Sequence, residues 1–568
     1  MLQAADLRRT APASEQTVHE LRQVLLWPLR LRPDPQAAHR NEPPWQMLRD
    51  AGDASPWREH VDEYTGDAHD FHERHYNEFV TFLPYVQRFL YGEGLRRPRS
   101  KSTGDATLAR ADIESPMRVF RRTDITAARV WIEPDSEPLL LAIKHIDLYF
   151  FFDLDIVLLN VELYADDIGL DQAQELLYRL GRGYPAGWTP DGRALHCVHD
   201  LHWLDAQGTV LARSDASERE TFLHFVAEHR APRIAAHWAF LLAPLVPDHS
   251  PDEGALRYRQ IEYYRMPVMG YVAVDDPQSL SRADFVRLGM VTGAGPRDAE
   301  LSYAADHLSD FERRHCYDRF WAEAGAAPHT RYMSCGHALV VVGQAHSTFY
   351  RCAERGVLAQ FRHQHFLLFL IAHVQKSSLL MFSDRLVDAL KRLDVRDAES
   401  VRRFKRSIRA CFEGFLRFTH RYWFHEISEQ AQVRALFRLC ANHLEVDALY
   451  AEVKERTADM SDYLESDSLR RQANTVVRLT VVTIFGLIGT ITTGFLGMNL
   501  IAAADDPVPT RLAAFAAVFV ATLALTFFTI ARSKRLSDFL DALSDERMTA
   551  GAKLGVLLDV FRRRSKPR

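Results

Sequence analysis

The chain has 568 residues, 47% of them hydrophobic and 26% charged, which is typical of a folded protein with roughly 3–4 domains. Its net charge of −5 is too small to argue for a nucleic-acid partner, so we expect none. The six cysteines are scattered without a CxxC pair, which excludes a disulfide framework and indicates a reducing compartment.

Residues 1–355 are predicted to form a cytoplasmic α/β (α+β) domain with an N-terminal extension. The first 20 residues contain no apolar h-region of a signal peptide, so we expect this domain to stay in the cytoplasm. Within 62–92, His69 and Glu73 would meet at i and i+4 on a helix and could bind zinc. A polar helix face explains the same residues.

The centre of this domain has strand signals. Residues 128–167 are rich in apolar and β-branched side chains around the turn sequence EPDSEP, which predicts two or three strands. The next segment, LDQAQELLYRLGRG, is predicted to be a helix that ends at a glycine. Strand, helix and loop signals then alternate to about residue 345.

Four further candidate zinc ligands follow, namely Cys335, His337, His346 and Cys352. Their C-x-H and H-x₅-C spacing fits no established zinc pattern, and a buried strand over TRYMSCGHALVVVG is the competing interpretation. The chain has no GxGxxG, P-loop, GxSxG or HExxH motif, so we predict that it is not an enzyme.

Two long segments, 357–413 and 415–485, contain no glycine or proline. The second predicts a stalk helix that enters the membrane without interruption, and the first predicts one or two helices packed against it. Together, residues 356–475 form the predicted helical bundle and stalk. Apolar side chains at spacings of 3, 4, 7 and 3 give the stalk a coiled-coil-like seam: Val446, Leu449, Val453, Met460 and Tyr463.

Acidic side chains run beside this seam at Glu452, Glu455, Asp459 and Asp462. A solvated helix face explains them. Alternatively, neighbouring subunits bring these carboxylates together around a regulatory divalent cation. Oxygen ligands of this kind suit Mg²⁺ that keeps several of its waters.

Two uncharged runs, 479–496 and 512–531, are long enough to cross a bilayer as helices. We therefore predict transmembrane helices at 476–497 and 512–531, with a buried soluble hairpin as the alternative. Basic residues precede the first run and follow the second, whereas the loop 498–511 carries only Arg511. The positive-inside rule places both termini, including the basic tail 532–568, in the cytoplasm.

The first run differs from the second because it contains five threonines and three glycines. Small and hydroxyl side chains mark helix–helix contacts or a pore wall. Neither run contains a carboxylate, which disfavours a proton relay through buried acids.

The stretch VVRLTVVTIFGLIGTITTGFLGMN, with its Gly-Met-Asn end, two terminal spans and a preceding stalk, resembles the CorA family of divalent-cation transporters. The resemblance implies a homopentameric funnel in the inner membrane, with an α/β sandwich as its soluble part. It implies that the first spans line a central pore through Leu479, Leu487, Thr490 and Gly494. The loop differs from the family's usual MPEL stretch, and the soluble part is longer than in the magnesium transporters.

The predicted ion-selectivity site consists of Gly497, Met498 and Asn499. A ring of Asn amide oxygens could bind hydrated Mg²⁺ through its waters, because Mg²⁺ dehydrates reluctantly. Asp505 and Asp506 would form an outer acidic ring that concentrates cations.

The leading hypothesis is Mg²⁺ uptake across the inner membrane. The first alternative is transport of Zn²⁺, Co²⁺ or Ni²⁺, with or without proton coupling, since the loop departs from the family pattern and the chain has 25 histidines. The second is a membrane-anchored scaffold or sensor without transport.

Overall fold

A computed structural model describes residues 16–33, 43–60, 73–92, 116–250, 256–262, 264–296, 301, 303–391, 393–394, 397–497, 507–513, 515–524 and 528. The chain divides into two compact units, residues 1–455 and 456–568. The first is a mixed α/β unit built on a sheet, which confirms the coarse fold class. The finer domain borders stay predictions.

The described residues of the first unit contain one sheet. Its strands are β1 (Thr17–Pro33), β2 (Trp57–Glu59), β3 (Met117–Arg122), β4 (Ala127–Trp131), β5 (Leu139–Phe151), β6 (Ile156–Gly169), β7 (Asp200–Leu204), β8 (Val210–Arg213), β9 (Val246–Pro247), β10 (Leu256–Gln260), β11 (Val268–Val274), β12 (Cys316–Tyr317), β13 (Arg331–Ser334) and β14 (Ala338–Gln344). The main order is β12-β13-β14-β11-β1-β6-β5-β4-β7-β8.

The helices of the described chain are α1 (Gln46–Ala51), α2 (Glu73–Thr81), α3 (Pro84–Tyr91), α4 (Leu170–Arg179), α5 (Arg219–His229), α6 (Ala236–Leu242), α7 (Arg282–Met290), α8 (Ala305–Ser309), α9 (Phe311–His315), α10 (Val357–Lys391), α11 (Ala398–Arg421), α12 (Ala431–His443), α13 (Val446–Gly497) and α14 (Val508–Ala524). A π-helical turn, Phe361–His365, lies within α10.

The long strand β1 organises the sheet. It pairs antiparallel with β6 from Thr17 to Arg30, and with β11 and β10 along its other edge. One face of β1 buries Leu21, Leu25 and Trp27 in the main core, which also contains side chains of α4 and α7. Because side chains alternate across a strand, the opposite face is free to meet a second layer of helices.

The second layer centres on α10, which contacts β1, β6, α11 and α12. Its apolar side chains are buried on nearly all sides; Leu368, Phe369 and Leu370 have no exposed surface. A helix that is apolar all round must be buried by protein or lipid, and this one is buried by its own chain.

The strand and helix predictions for 128–183 are confirmed by β4, β5, β6 and α4. The prediction of an uninterrupted helix over 415–485 is wrong for its first part. The chain leaves the helix after Arg421, forms α12, and turns again at Glu445, whose φ is 54°. Burial explains the first break, since Tyr422, Phe424 and Ile427 turn into the core. From Val446 to Gly497 the helix is continuous.

Candidate functional site

The apolar stretches of the second unit carry large exposed side chains. Leu479 is 67% exposed and Leu487 60% exposed on α13, and Phe515 is 67% exposed on α14. Further exposed apolar residues extend these surfaces: Val476, Ile484, Val508, Leu512, Phe519, Val520 and Leu523. Apolar surface of this extent normally contacts lipid or another protein.

By length and hydropathy, a different helix fits a membrane span. In the described residues, the helix long and apolar enough to cross a membrane is Val357–Lys391, and 83% of its apolar window is buried inside the protein. The apolar stretches Thr475–Leu487 and Val508–Ala524 are shorter. The two predicted spans are therefore helical where they are described, and their crossing of a membrane stays a prediction.

The four predicted pore-lining residues, Leu479, Leu487, Thr490 and Gly494, are all exposed on α13. At 3.6 residues per turn their positions fall within an arc of about 80° around the helix axis. They can thus face one common surface. Gly497 ends the helix, whereas Met498, Asn499, Asp505 and Asp506 lie outside the described residues.

The threonine hydroxyls of this helix are bound within it. Thr480, Thr483 and Thr490 each donate to the carbonyl four residues earlier, at 2.9, 2.8 and 2.9 Å. Such bonds satisfy the hydroxyl proton inside the helix. The oxygen keeps acceptor capacity, so these side chains are compatible with either an apolar surrounding or a hydrated cation.

The two helices of the second unit approach closely at Gly489. A Cβ atom at this position would lie 2.6 Å from the Cγ2 atom of Thr522 on α14. No such neighbour lies within 4 Å of a Cβ at Gly486 or Gly494. One glycine of this helix is therefore used for packing between helices, while the others lie on open surface.

The acidic residues Glu452, Glu455, Asp459 and Asp462 are all exposed. On the seam, Val446 and Val453 are buried, Leu449 and Met460 are partly buried, and the side chain of Tyr463 is not described. No three His, Cys, Asp or Glu side chains of the described residues form a group with metal-binding geometry within one chain. A cation held by these carboxylates would need ligands from another copy or from water.

The candidate zinc ligands of the first unit lie in separate places. His69 lies outside the described residues, and Glu73 pairs with Arg355. Cys335 and His337 lie in the β13–β14 hairpin, where burial raises the pKa of the Cys335 thiol.

His346 is 73% exposed and bonds to Asp275 instead of joining that hairpin pair. The four-ligand zinc site with Cys352 stays a prediction, and the strand interpretation is confirmed by β13 and β14.

An ionic network that the sequence did not predict joins the sheet to α10. Glu162 on β6 accepts from Arg362 Nε at 2.8 Å and from Arg22 Nη1 at 3.5 Å, and Arg22 Nε donates to Glu20 at 2.7 Å. Beside them, burial, reinforced by Arg121 and Arg362, lowers the pKa of His145 to about 3. The carboxylates of this network, Glu20 and Glu162, are bound by arginines. The network therefore links β1 and β6 to α10, and its carboxylates are not free to bind a cation.

A signal for this network is present in β6. Asn160, Glu162 and Tyr164 occupy alternate positions of an otherwise apolar strand, which places them on one face. Their partners come from β1, β5 and α10, at separations of up to 200 residues. Such long-range pairing cannot be obtained from local periodicity.

A cleft of about 1040 Å³ opens beside α6, β10 and α10. Its lining includes Phe225, Phe240 and Leu380 together with Tyr258 and Glu262. Within the described part of the chain, Tyr258 Oη and Glu262 Oε1 are buried without a hydrogen-bond partner. Burial raises the pKa of Glu262, although Lys376 opposes the shift.

No protein-family model, curated protein or solved structure matches this chain.

Proposed function

We propose that several copies of this chain form a divalent-cation channel in the inner membrane, with Mg²⁺ uptake as its function and with both termini in the cytoplasm. The observation that carries the proposal is the second unit. Two apolar helices contact each other through Gly489 and Thr522 and leave large apolar side chains uncovered. Lipid can cover such a surface on one side, while neighbouring copies cover it on another.

The proposed pore surface lies on α13. The hydroxyl oxygen of Thr490 can accept hydrogen bonds from the waters of a hydrated cation, since its own proton is bound to the carbonyl of Gly486. Leu479 and Leu487 form an apolar constriction that closes by dewetting when several copies meet. Asn499 lies just beyond this helix in the sequence, so a ring of its amides forms the outer ion site.

The acidic face of α13 supplies the proposed regulatory site. Glu452, Glu455, Asp459 and Asp462 are exposed and occupy one helical side, so neighbouring copies can approach it. Carboxylates and retained waters are the ligands that Mg²⁺ prefers. Internal Mg²⁺ bound between copies would hold the acidic helices together, and loss of the ion would let them separate by charge repulsion.

The test is ion flux into proteoliposomes containing the full chain, comparing Mg²⁺, Zn²⁺, Ni²⁺ and Co²⁺ with and without a pH gradient. We expect Mg²⁺ flux that Asn499→Ala abolishes and that Asn442→Ala, an exposed position on α12, leaves unchanged. Flux of Asn499→Ala equal to that of the unaltered chain would eliminate the proposed outer site. Zn²⁺ flux that requires a pH gradient would favour the first alternative.

The regulatory site has its own test. Asp459→Lys with Asp462→Lys should leave currents that persist at millimolar-scale internal Mg²⁺, whereas Glu413→Lys on α11 should not. Unaltered currents that show no inhibition by internal Mg²⁺ would remove the regulatory role.

The cleft of the first unit favours a second candidate function, a membrane-anchored sensor. Buried unpartnered polar atoms beside aromatic walls are typical of a small-molecule site. Complete absence of flux for all four cations, in protein whose tryptophan fluorescence reports a folded first unit, would favour the sensor over the channel.

A further inference from the structure

Two histidine and two aspartate side chains meet at one edge of the sheet. Asp275 follows β11 and His346 follows β14, and these strands are parallel, so their carboxyl ends coincide. His19 lies near the start of β1, which runs antiparallel to β11 and β6. Asp167, near the end of β6, therefore reaches the same edge.

These side chains form a chain of short contacts. His19 Nε2 lies 2.7 Å from Asp275 Oδ1, and His346 Nε2 lies 3.0 Å from the same oxygen. On its other side, His19 Nδ1 lies 2.8 Å from Asp167 Oδ1. The two imidazole rings have centroids 6.1 Å apart.

The arrangement of these donor atoms resembles that of a metal site. Two imidazole nitrogens converge on one carboxylate, and the second nitrogen of His19 is held by another carboxylate. A ligating histidine usually has such an outer partner, which fixes the ring and its tautomer. Two histidines and one carboxylate suit Zn²⁺ and neighbouring transition metals better than Mg²⁺.

The donors are now spaced for hydrogen bonds and not for a bound ion. No group in the described chain has metal-ligand geometry as it stands. With metal–ligand bonds of 2.0–2.1 Å, donors in a tetrahedral shell are separated by about 3.3 Å. The two nitrogen–oxygen distances must therefore open by a few tenths of an ångström. Asp275 and His346 are 58% and 73% exposed, so their side chains have room to rotate.

We propose that His19, Asp275 and His346 bind one Zn²⁺ ion, with water completing the shell and Asp167 acting as a positioning residue. On binding, the metal replaces the proton between His19 Nε2 and Asp275, and that proton passes to solvent. The site belongs to the first unit and does not depend on the proposed transport.

The test is zinc titration of the full chain in detergent, by calorimetry, in excess Mg²⁺ that occupies sites built from oxygen ligands alone. We expect one Zn²⁺ equivalent per chain that is lost in His346→Ala and in Asp275→Asn. Asp167→Asn should bind the ion about 10–100-fold more weakly. His420→Ala, an exposed histidine on α11, is the matched control and should retain the full stoichiometry.

Cobalt provides a second measurement on the same variants. Tetrahedral Co²⁺ with imidazole ligands absorbs visible light strongly, and we expect this absorption in the unaltered chain and not in His346→Ala. His346 is an exposed side chain, so its replacement should leave the fold intact, which circular dichroism checks. Equal zinc stoichiometry in the unaltered chain, His346→Ala and Asp275→Asn would overturn the site.

Asn499→Ala separates this proposal from the channel. We expect that variant to keep the zinc equivalent while it loses flux. A zinc equivalent that disappears with Asn499→Ala and persists in His346→Ala would assign the ion to the pore mouth and overturn the sheet-edge site.

Discussion

The helix α10 and the apolar end of α13 are similar in composition and opposite in environment. The 18-residue apolar window of α10 is 83% buried by the chain itself. On α13, by contrast, Leu479 and Leu487 are more than half exposed. This difference shows that an apolar sequence predicts removal from water but not whether protein or lipid covers the side chains, because both remove apolar groups from water.

The largest effect should come from a charge placed inside α10. Leu370→Arg puts an unpaired cation where no side-chain surface is exposed, and a buried charge without a partner costs about 3–5 kcal/mol or more. We expect little or no monodisperse protein after extraction. Leu390→Arg, at a 44% exposed position of the same helix, is the control and should express normally. Equal yields for both would contradict the burial of α10.

The same change on α14 distinguishes lipid from water. Val520 is 59% exposed and lies near the centre of the run 512–531, where arginine costs about 2.5–3.5 kcal/mol in a bilayer. Exposed positions in water usually change stability by less than about 0.5 kcal/mol. We expect Val520→Arg to increase the fraction of chain released from membranes by alkaline extraction. Leu416→Arg on α11 should behave like the unaltered protein, and identical behaviour of the two variants would argue against lipid contact.

A smaller effect is expected where the two helices of the second unit touch. Gly489→Ala should cost about 1–3 kcal/mol, since the added methyl group overlaps Thr522. Gly486→Ala has open space and should be neutral or slightly stabilising, because alanine favours helix over glycine.

Thermal unfolding followed by circular dichroism at 222 nm measures both changes. The double variant Gly489→Ala with Thr522→Ala should recover the lost stability, because it removes the overlapping methyl. Absence of that recovery would show that the helices do not meet at this point.

The smallest effect at neutral pH concerns one buried histidine of α10, whose contribution to stability changes only as the pH falls. Burial lowers the pKa of His365 from 6.5 to about 3. Below about pH 6.5 the imidazole of His365 is protonated in the unfolded state but stays neutral in the folded state. The free energy of unfolding therefore falls by about 1.4 kcal/mol per pH unit until the pH reaches the pKa of the folded state. His365→Leu should therefore make stability less dependent on pH between 6.5 and 5.

Urea unfolding followed by tryptophan fluorescence measures this slope, since all nine tryptophans lie in residues 1–455. His420→Leu on the exposed face of α11 should keep the slope of the unaltered protein. An unchanged slope in His365→Leu would mean that this imidazole is not neutral in the folded state.

Local patterns predicted local structure well. The run 128–167 gave strands because β-branched side chains and a turn sequence lie within a few residues of each other. The absence of glycine and proline did not predict the course of 415–445, because nothing local marks where Tyr422 and Ile427 turn into the core. Absence of helix-breaking residues permits a helix and does not require one.

Candidate sites divide in the same way. The four positions that the family resemblance assigns to a pore lie on one exposed surface of α13. Sequence proximity places His346 beside Cys335, yet its contacts are Asp275 and, through it, His19. Strand order brings these residues together across separations that sequence spacing does not measure.

The sequence by itself determined that a long helix with acids along one face leads into an apolar end, because helix geometry converts spacing into faces. The start of that helix at Val446 was decided by the turn at Glu445. Only the tertiary structure decided which apolar helix is covered by the protein and which remains uncovered. It also decided which charges pair across β1, β6 and α10. Those outcomes depend on strand order and on packing between distant segments, which sequence periodicity does not encode.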